Sequence, residues 1–247
     1  MKLLLIKIGK AWHTLRRDGL LRGGRRVLIA ALALFRRVPK ADVLFVTGGV
    51  GDSARYRTEH VAEGLRLRGV TASVTVQDNP FLSGYADSFS VFVFHRVLFT
   101  PSVATLIARI KEQGKEIIFE TDDLVYDPAY LSHMDYFKTM NTLERKLYEH
   151  GVGGEILADG AVRVATTSTT FLADKLREKG KQVFLVKNTV CREDVTLSET
   201  ILAQKKHRDD LIRVAYFSGT LSHNKDFATI APVLMTLLAK YPKLRLV

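Results

Sequence analysis

Four short stretches bring together side chains that can do chemistry. The first is SVFVFHRV (90–97), an apolar, β-branched run that ends in His95 and Arg96. A neutral imidazole can accept a proton, and a guanidinium can pair with an anion. A lone histidine serves equally well as a hydrogen-bonded structural residue. The second stretch, ETDDLVYDP (120–128), sets Glu120, Asp122 and Asp123 close together, with Asp127 following. Carboxylates this close repel unless a cation, hydrogen bonds or a polar ligand offsets their charge. A Glu-x-Asp pair can hold a divalent metal. Alternatively, one aspartate caps the next turn, the others are solvated, and Asp122 lines a cleft. The second alternative is the expectation here, and no metal is expected.

The other two stretches are loops. GGVGDSA (48–54) holds Gly49, Gly51 and Ala54 in the permissive spacing of a dinucleotide-binding fingerprint. Small residues there let backbone N–H groups approach a phosphate at a helix N-terminus. The carboxylate that should hold a ribose could only be Asp78, which comes late and precedes Asn79-Pro80. A tight strand-to-helix turn explains these glycines as well as a ligand does. SGTLSHNKDF (218–227) gathers Gly219, Thr220, His223 and Lys225 around the start of a helix, a set that can cradle a diphosphate. Cys191, the one cysteine, has no catalytic partner near it in sequence, and the histidines, His133 among them, show no metal-ligand spacing. A single cysteine allows no intrachain disulfide and suits a reducing compartment.

These stretches need elements to position them, and the sequence supplies an alternation. Apolar or alternating runs at 42–47, 71–76, 90–97, 115–120, 163–167 and 182–187 read as six strands. Between them, apolar residues recur at helical spacing: Ala54, Thr58, Val61, Ala62 and Leu65 before Gly69, and Val103, Leu106, Ile107 and Ile110 before Gly114. Phe137, Met140, Leu143 and Leu147 mark another helix, and Phe171, Leu172 and Leu176 one more before Gly180. The alternation predicts an α/β domain, a doubly wound parallel sheet over 41–190. His95, Arg96 and the carboxylates then fall at the carboxyl ends of strands, where open α/β sheets bind ligands. Residues 191–210 are polar and read as a linker or bridging helix. Residues 211–247 restart the pattern as strand, loop, helix and strand, with Phe227, Ile230, Val233, Leu234, Leu237 and Leu238 on the inner side of the helix. Two strands and one helix cannot bury a core of their own.

Charge is concentrated at one end. Residues 1–40 carry eleven Lys and Arg against Asp18 alone, a net of +10, whereas the remaining 207 residues hold 26 basic and 25 acidic side chains. Within that arm, VLIAALALF (27–35) is apolar and bracketed by Arg25-Arg26 and Arg36-Arg37. Nine apolar residues fall well short of the roughly 20 a spanning helix needs. Lysines interrupt KLLLIKIGK, which fits a signal peptide poorly. Two readings stand: a basic amphipathic segment on an anionic membrane surface, or a helix packed on the domain with its arginines in water. Nucleic acid is not an expected partner, because the basic residues lack interleaved aromatics.

At these residues the chain resembles the retaining GT-B-fold glycosyltransferases that build bacterial polysaccharides and glycolipids. The resemblance runs from about Asp42 to Val247 through SARYRTEHVAEGLRLRG, FHRVLFTP, ETDDLVYDP, VATTSTTFLADKLREKG and VFLVKNTV. YFSGTLSHNKDF is its most specific part, similar to the opening of a nucleotide-sugar-binding domain. The resemblance implies two facing Rossmann-like domains that transfer a sugar from a nucleotide-sugar donor to a glycan or lipid-linked acceptor. It places Gly49, Gly51, Tyr56, Arg57, Arg96, His95 and Asp122 on the acceptor side, the last two as catalytic candidates. Gly219, Thr220, His223 and Lys225 begin the donor side, and no cofactor beyond the donor substrate is implied. The family's paired glutamates would fall after Val247, so the sequence reads as a partial, inactive form with an incomplete second domain. A cytoplasmic protein, peripheral on the inner face of the plasma membrane, is the expected setting. The alternatives are a non-catalytic two-domain sugar-binding protein and a GT-B-shaped epimerase or NAD enzyme.

Overall fold

The computed structural model of the chain describes residues 2–133, 142, 145, 151–204, 209–217 and 224–247. The chain forms two compact units, one of Met1–Leu131 with Asn141–Arg192 and one of Ser132–Met140 with Glu193–Val247. The predicted helix carrying Phe137, Met140, Leu143 and Leu147 lies outside the described residues.

Six strands make the sheet of the first unit: β1 (Val43–Thr47), β2 (Ala72–Val76), β3 (Val91–His95), β4 (Glu116–Thr121), β5 (Val164–Thr167) and β6 (Gln182–Leu185). All pair in parallel in the order β2-β1-β3-β4-β5-β6, a Rossmann-like α/β sheet. All five residues of β1 are buried, which is why that strand reads as a continuous apolar run rather than an alternation. One core cluster is built on Leu44, Phe92, Phe94, Leu106, Ile110, Phe119, Ile156 and Leu176; a smaller one holds Val43, Phe45, Ala62, Ala72 and Val93.

Two helices show how local sequence sets the frame. Thr100 caps the helix Pro101–Glu112 by accepting from the Val103 N–H, and Pro101 occupies the first turn, where its missing N–H costs nothing. That helix buries Val103, Leu106, Ile107 and Ile110, the stripe read from the sequence; each contributes about 1.5–3 kcal/mol of apolar burial. Following β1, the chain forms Asp52–Ala54, a π-helical turn over Arg55–Glu59, and then His60–Arg66. Such π turns often mark functional sites.

Ahead of the sheet, Lys2–Phe35 is helical but broken at Gly19, whose backbone is at φ 75°, ψ 170°. The chain reverses there. Gly23 comes so close to the earlier half that a Cβ on it would lie 2.8 Å from the Thr14 carbonyl oxygen. Arg26 closes the turn on Asp18 at 2.5 Å. The end of the arm is tied to the domain: Asn79 Nδ2 donates to the Arg36 carbonyl at 2.8 Å, and the Arg37 guanidinium stacks 4.3 Å over Phe81. No helix among the described residues is long and apolar enough to cross a membrane.

In the second unit, β7 (Ile212–Val214) pairs in parallel with β8 (Leu244–Leu246), and the helix Asn224–Lys240 joins them. Phe227, Ala231, Leu234 and Leu238 are half-buried, whereas Ile230, Val233 and Leu237 are exposed. The expected inner face is therefore narrower than the apolar stripe, because two strands cannot cover it all. The stretch 191–210 contains the helix Arg192–Ala203.

Candidate functional site

The strand order reverses between β1 and β3, and open α/β sheets bind ligands beside the carboxyl ends of strands at such a point. Register brings polar residues into one row there. Thr47 of β1 is paired with His95 of β3, His95 with Glu120 of β4, and Glu120 with Thr166 of β5. Paired residues of a parallel sheet share a face, so four polar side chains from four strands form a line just below the loops.

His95 is the centre of the first half of this row. It is buried, with Nδ1 3.3 Å from Thr47 Oγ1 and Nε2 3.1 Å from Ser53 Oγ and 3.3 Å from Asp122 Oδ1. Ser53 donates to Asp122 Oδ2 at 2.8 Å, and Arg96 Nε donates to Asp122 Oδ1 at 2.6 Å. Arg96 Nη2 reaches Asp123 Oδ2 at 3.3 Å. Burial lowers the His95 pKa below its ordinary value, against the upward pull of Asp122, so the ring is neutral at pH 7. Burial works to raise the Asp122 carboxyl, but the His95 hydrogen bond, the Arg96 charge and Ser53 outweigh it and hold the group well below the usual carboxylate range. A serine, a histidine and an aspartate thus meet, yet not as a hydrolase relay. In such a relay the serine and the carboxylate sit on opposite ring nitrogens. Here both face Nε2, and a threonine faces Nδ1.

Arg57 and Glu120 form the second half. Arg57 Nε donates to Glu120 Oε1 at 2.8 Å with both side chains essentially out of solvent, and Thr166 Oγ1 donates to Glu120 Oε2. Arg57 Nη1 donates to the Val186 carbonyl at 2.6 Å and to Asn188 Oδ1 at 2.9 Å, holding the segment that leaves β6. Its Nη2 has no hydrogen-bond partner among the described residues. Burial pushes the Glu120 carboxyl up to about 7, against the pull of Arg57 and Thr166.

The loops above the row owe their shape to Gly48. A Cβ there would lie 1.9 Å from the Arg96 carbonyl oxygen, and the Gly48 N–H donates to the His95 carbonyl at 3.0 Å. Arg96 itself adopts a left-handed conformation, φ 48°, uncommon for a residue with a side chain. This ends β3 at His95, two residues before the expected end of that strand.

The sequence candidates fall into three groups. His95, Arg96 and Asp122 come together; Gly49 and Gly51 lie exposed in the adjoining loop. Tyr56 is half-buried with its ring edge-on to His60 at 5.0 Å, and Arg57 is buried beneath the loops, lining no open surface. Gly219, Thr220 and His223 lie outside the described residues, as does the Lys225 side chain. The carboxylates also divide: Asp123 caps the turn Leu124–Tyr126 as expected, whereas Glu120, expected to be solvated, is buried against Arg57. Sequence reasoning missed Ser53 and Thr47. Ser53 stood within GGVGDSA, and only its distant partners reveal its part. It also missed that His60 and Cys191 approach, with a ring nitrogen and the thiol within 4.8 Å.

No family model, curated protein or solved structure matches this chain.

Proposed function

We propose that the protein is a GT-B-type glycosyltransferase, moving a sugar from a nucleotide-sugar donor to a glycan or lipid-linked acceptor in cell-surface polysaccharide synthesis. The observation that carries this reading is the cluster of Ser53, His95, Arg96 and Asp122 beside the switch point of a parallel sheet. On the acceptor side, the partly open Asp122 and Ser53, with side-chain exposure of 17% at Asp122, hydrogen-bond an acceptor hydroxyl. Neutral His95 behind them takes up the proton as the hydroxyl reacts. Gly49 and Gly51 keep the adjoining loop low enough for a sugar to approach. The resemblance assigns Gly219, Thr220, His223 and Lys225 to the donor diphosphate, where an ammonium and backbone N–H groups stabilise the charge on the departing nucleoside diphosphate. This scheme invokes no metal ion. The arm of residues 1–40 brings the protein to an anionic membrane surface, on the cytoplasmic face where lipid-linked acceptors are presented.

A second reading, a sugar-binding protein without catalysis, draws support from the same cluster, because His95 and Asp122 are already hydrogen-bonded to protein groups. One experiment separates the two. The full chain is incubated with a panel of nucleotide-sugars and membrane lipid extract, and nucleoside diphosphate release is measured alongside calorimetric binding. Release that falls at least tenfold in Asp122→Asn and in Lys225→Ala supports the transferase. Glycan binding with no affinity for any nucleotide-sugar supports the second reading. Absence of binding to any nucleotide-sugar or glycan overturns both.

A further inference from the structure

The arm is a hairpin, not a rod, and its turn exposes two leucines. Leu20 and Leu21, immediately after the break at Gly19, are 84% and 91% exposed. They are the most solvent-facing large aliphatic side chains among the described residues of the arm. Trp12 on the earlier half is 67% exposed, and Leu28, Ile29, Leu32 and Phe35 on the later half are also exposed. Arg16, Arg22, Arg25 and Arg26 are exposed around the turn. The close approach of Gly23 to Thr14 and the Asp18–Arg26 ion pair hold the two halves together, so the turn is presented as a fixed tip.

We propose that this tip inserts into the interfacial layer of an anionic bilayer, with Leu20 and Leu21 among the upper acyl chains and the surrounding arginines on lipid phosphates. The inference sharpens the membrane reading of the arm and rests on it; it does not depend on glycosyl transfer. Charge complementarity selects the partner, because ten net positive charges within 40 residues match an anionic surface. The leucines select among anionic surfaces. A polyphosphate backbone offers aliphatic side chains nothing, whereas a bilayer interface rewards their burial. A shallow insertion, with Leu20 and Leu21 leading and Trp12 behind them in the interfacial layer, suits an arm in which no helix among the described residues is able to span.

Trp12 is the only tryptophan in the chain, so fluorescence excited selectively from tryptophan reports on the arm alone. The full chain is titrated with vesicles of neutral phosphatidylcholine, and of phosphatidylcholine with 30–40 mol% phosphatidylglycerol (roughly the charge density of an anionic leaflet), and separately with homopolymeric RNA. The expected result is retention on anionic vesicles only, a blue shift of Trp12, and quenching by lipids brominated high in the acyl chain. Leu20→Ser/Leu21→Ser leaves the net charge unchanged, removes two exposed side chains without touching the core, and should weaken partitioning by roughly tenfold or more. Retention without a blue shift and unchanged in the double variant overturns insertion while leaving surface attraction standing. No retention on anionic vesicles overturns both, and RNA binding that exceeds vesicle binding assigns the arm to nucleic acid instead.

Discussion

Arg57 and Glu120 are both out of solvent, but they are not equivalent when parted. An arginine cannot shed its proton in a protein, whereas a carboxyl with pKa pushed up to about 7 can take one up. Glu120→Leu therefore leaves a permanent buried charge and is expected to cost about 3–5 kcal/mol. Arg57→Met should cost less at pH 6, where Glu120 neutralises itself, and more at pH 8. Urea denaturation of both variants at the two pH values checks this; an Arg57→Met cost equal to the other at pH 6 counts against it. His95 behaves in the opposite sense to Glu120. Its folded pKa is lowered, so the unfolded chain takes up the proton first, and its contribution to stability is complete above pH 6.5 and lost as pH falls below that value. Its imidazole proton resonance should titrate below 6.5, and Asp122→Asn should move the midpoint lower still, because Asp122 is the group that raises it. An upward movement would refute the arrangement.

At the scale of elements, β1 and β3 end where Gly48 meets the Arg96 carbonyl, and no side chain fits between them. Gly48→Ala should force the loops apart and destabilise the first unit by about 1–3 kcal/mol, the usual range for overpacking. The thermal midpoint reads the loss, and an unchanged midpoint would mean the loops are less closely apposed than described. The six strands and the Pro101–Glu112 helix were legible in the sequence because apolar spacing and cap residues are local signals. The row Thr47–His95–Glu120–Thr166 was not, because it exists only through register, and register joins residues with no shared motif. Ser53 and Thr47 are common residue types, and their partners lie 69 and 48 positions away. Arg57 stood among the acceptor-side cleft residues that the resemblance implied, because nothing nearby in sequence announces its burial against Glu120. The reversal at Gly19 had a faint local signal in Asp18-Gly19, a turn pair, set within a run of good helix formers.

Across the whole molecule, buried apolar contact is unevenly shared. The first unit encloses two core clusters, whereas β7, β8 and the helix between them leave Ile212, Ile230, Val233 and Met235 exposed. Backbone amides of β7 and β8 should therefore exchange faster than those of β1 and β3, since few contacts protect them. Hydrogen exchange followed by mass spectrometry decides the point, and equal protection in the two sheets would show that the second unit is covered. The six-stranded sheet carries a different consequence at its far side. Among the described residues β6 has a neighbour on one flank only, and Phe184 and Leu185 on it are exposed. An unpaired strand with aromatic and aliphatic side chains is a template on which another chain can add. Lys181 and Lys187 flank it, and lysines in such places discourage self-association by repulsion. Salt weakens that protection, so raising the ionic strength should favour clumping of the protein through β6.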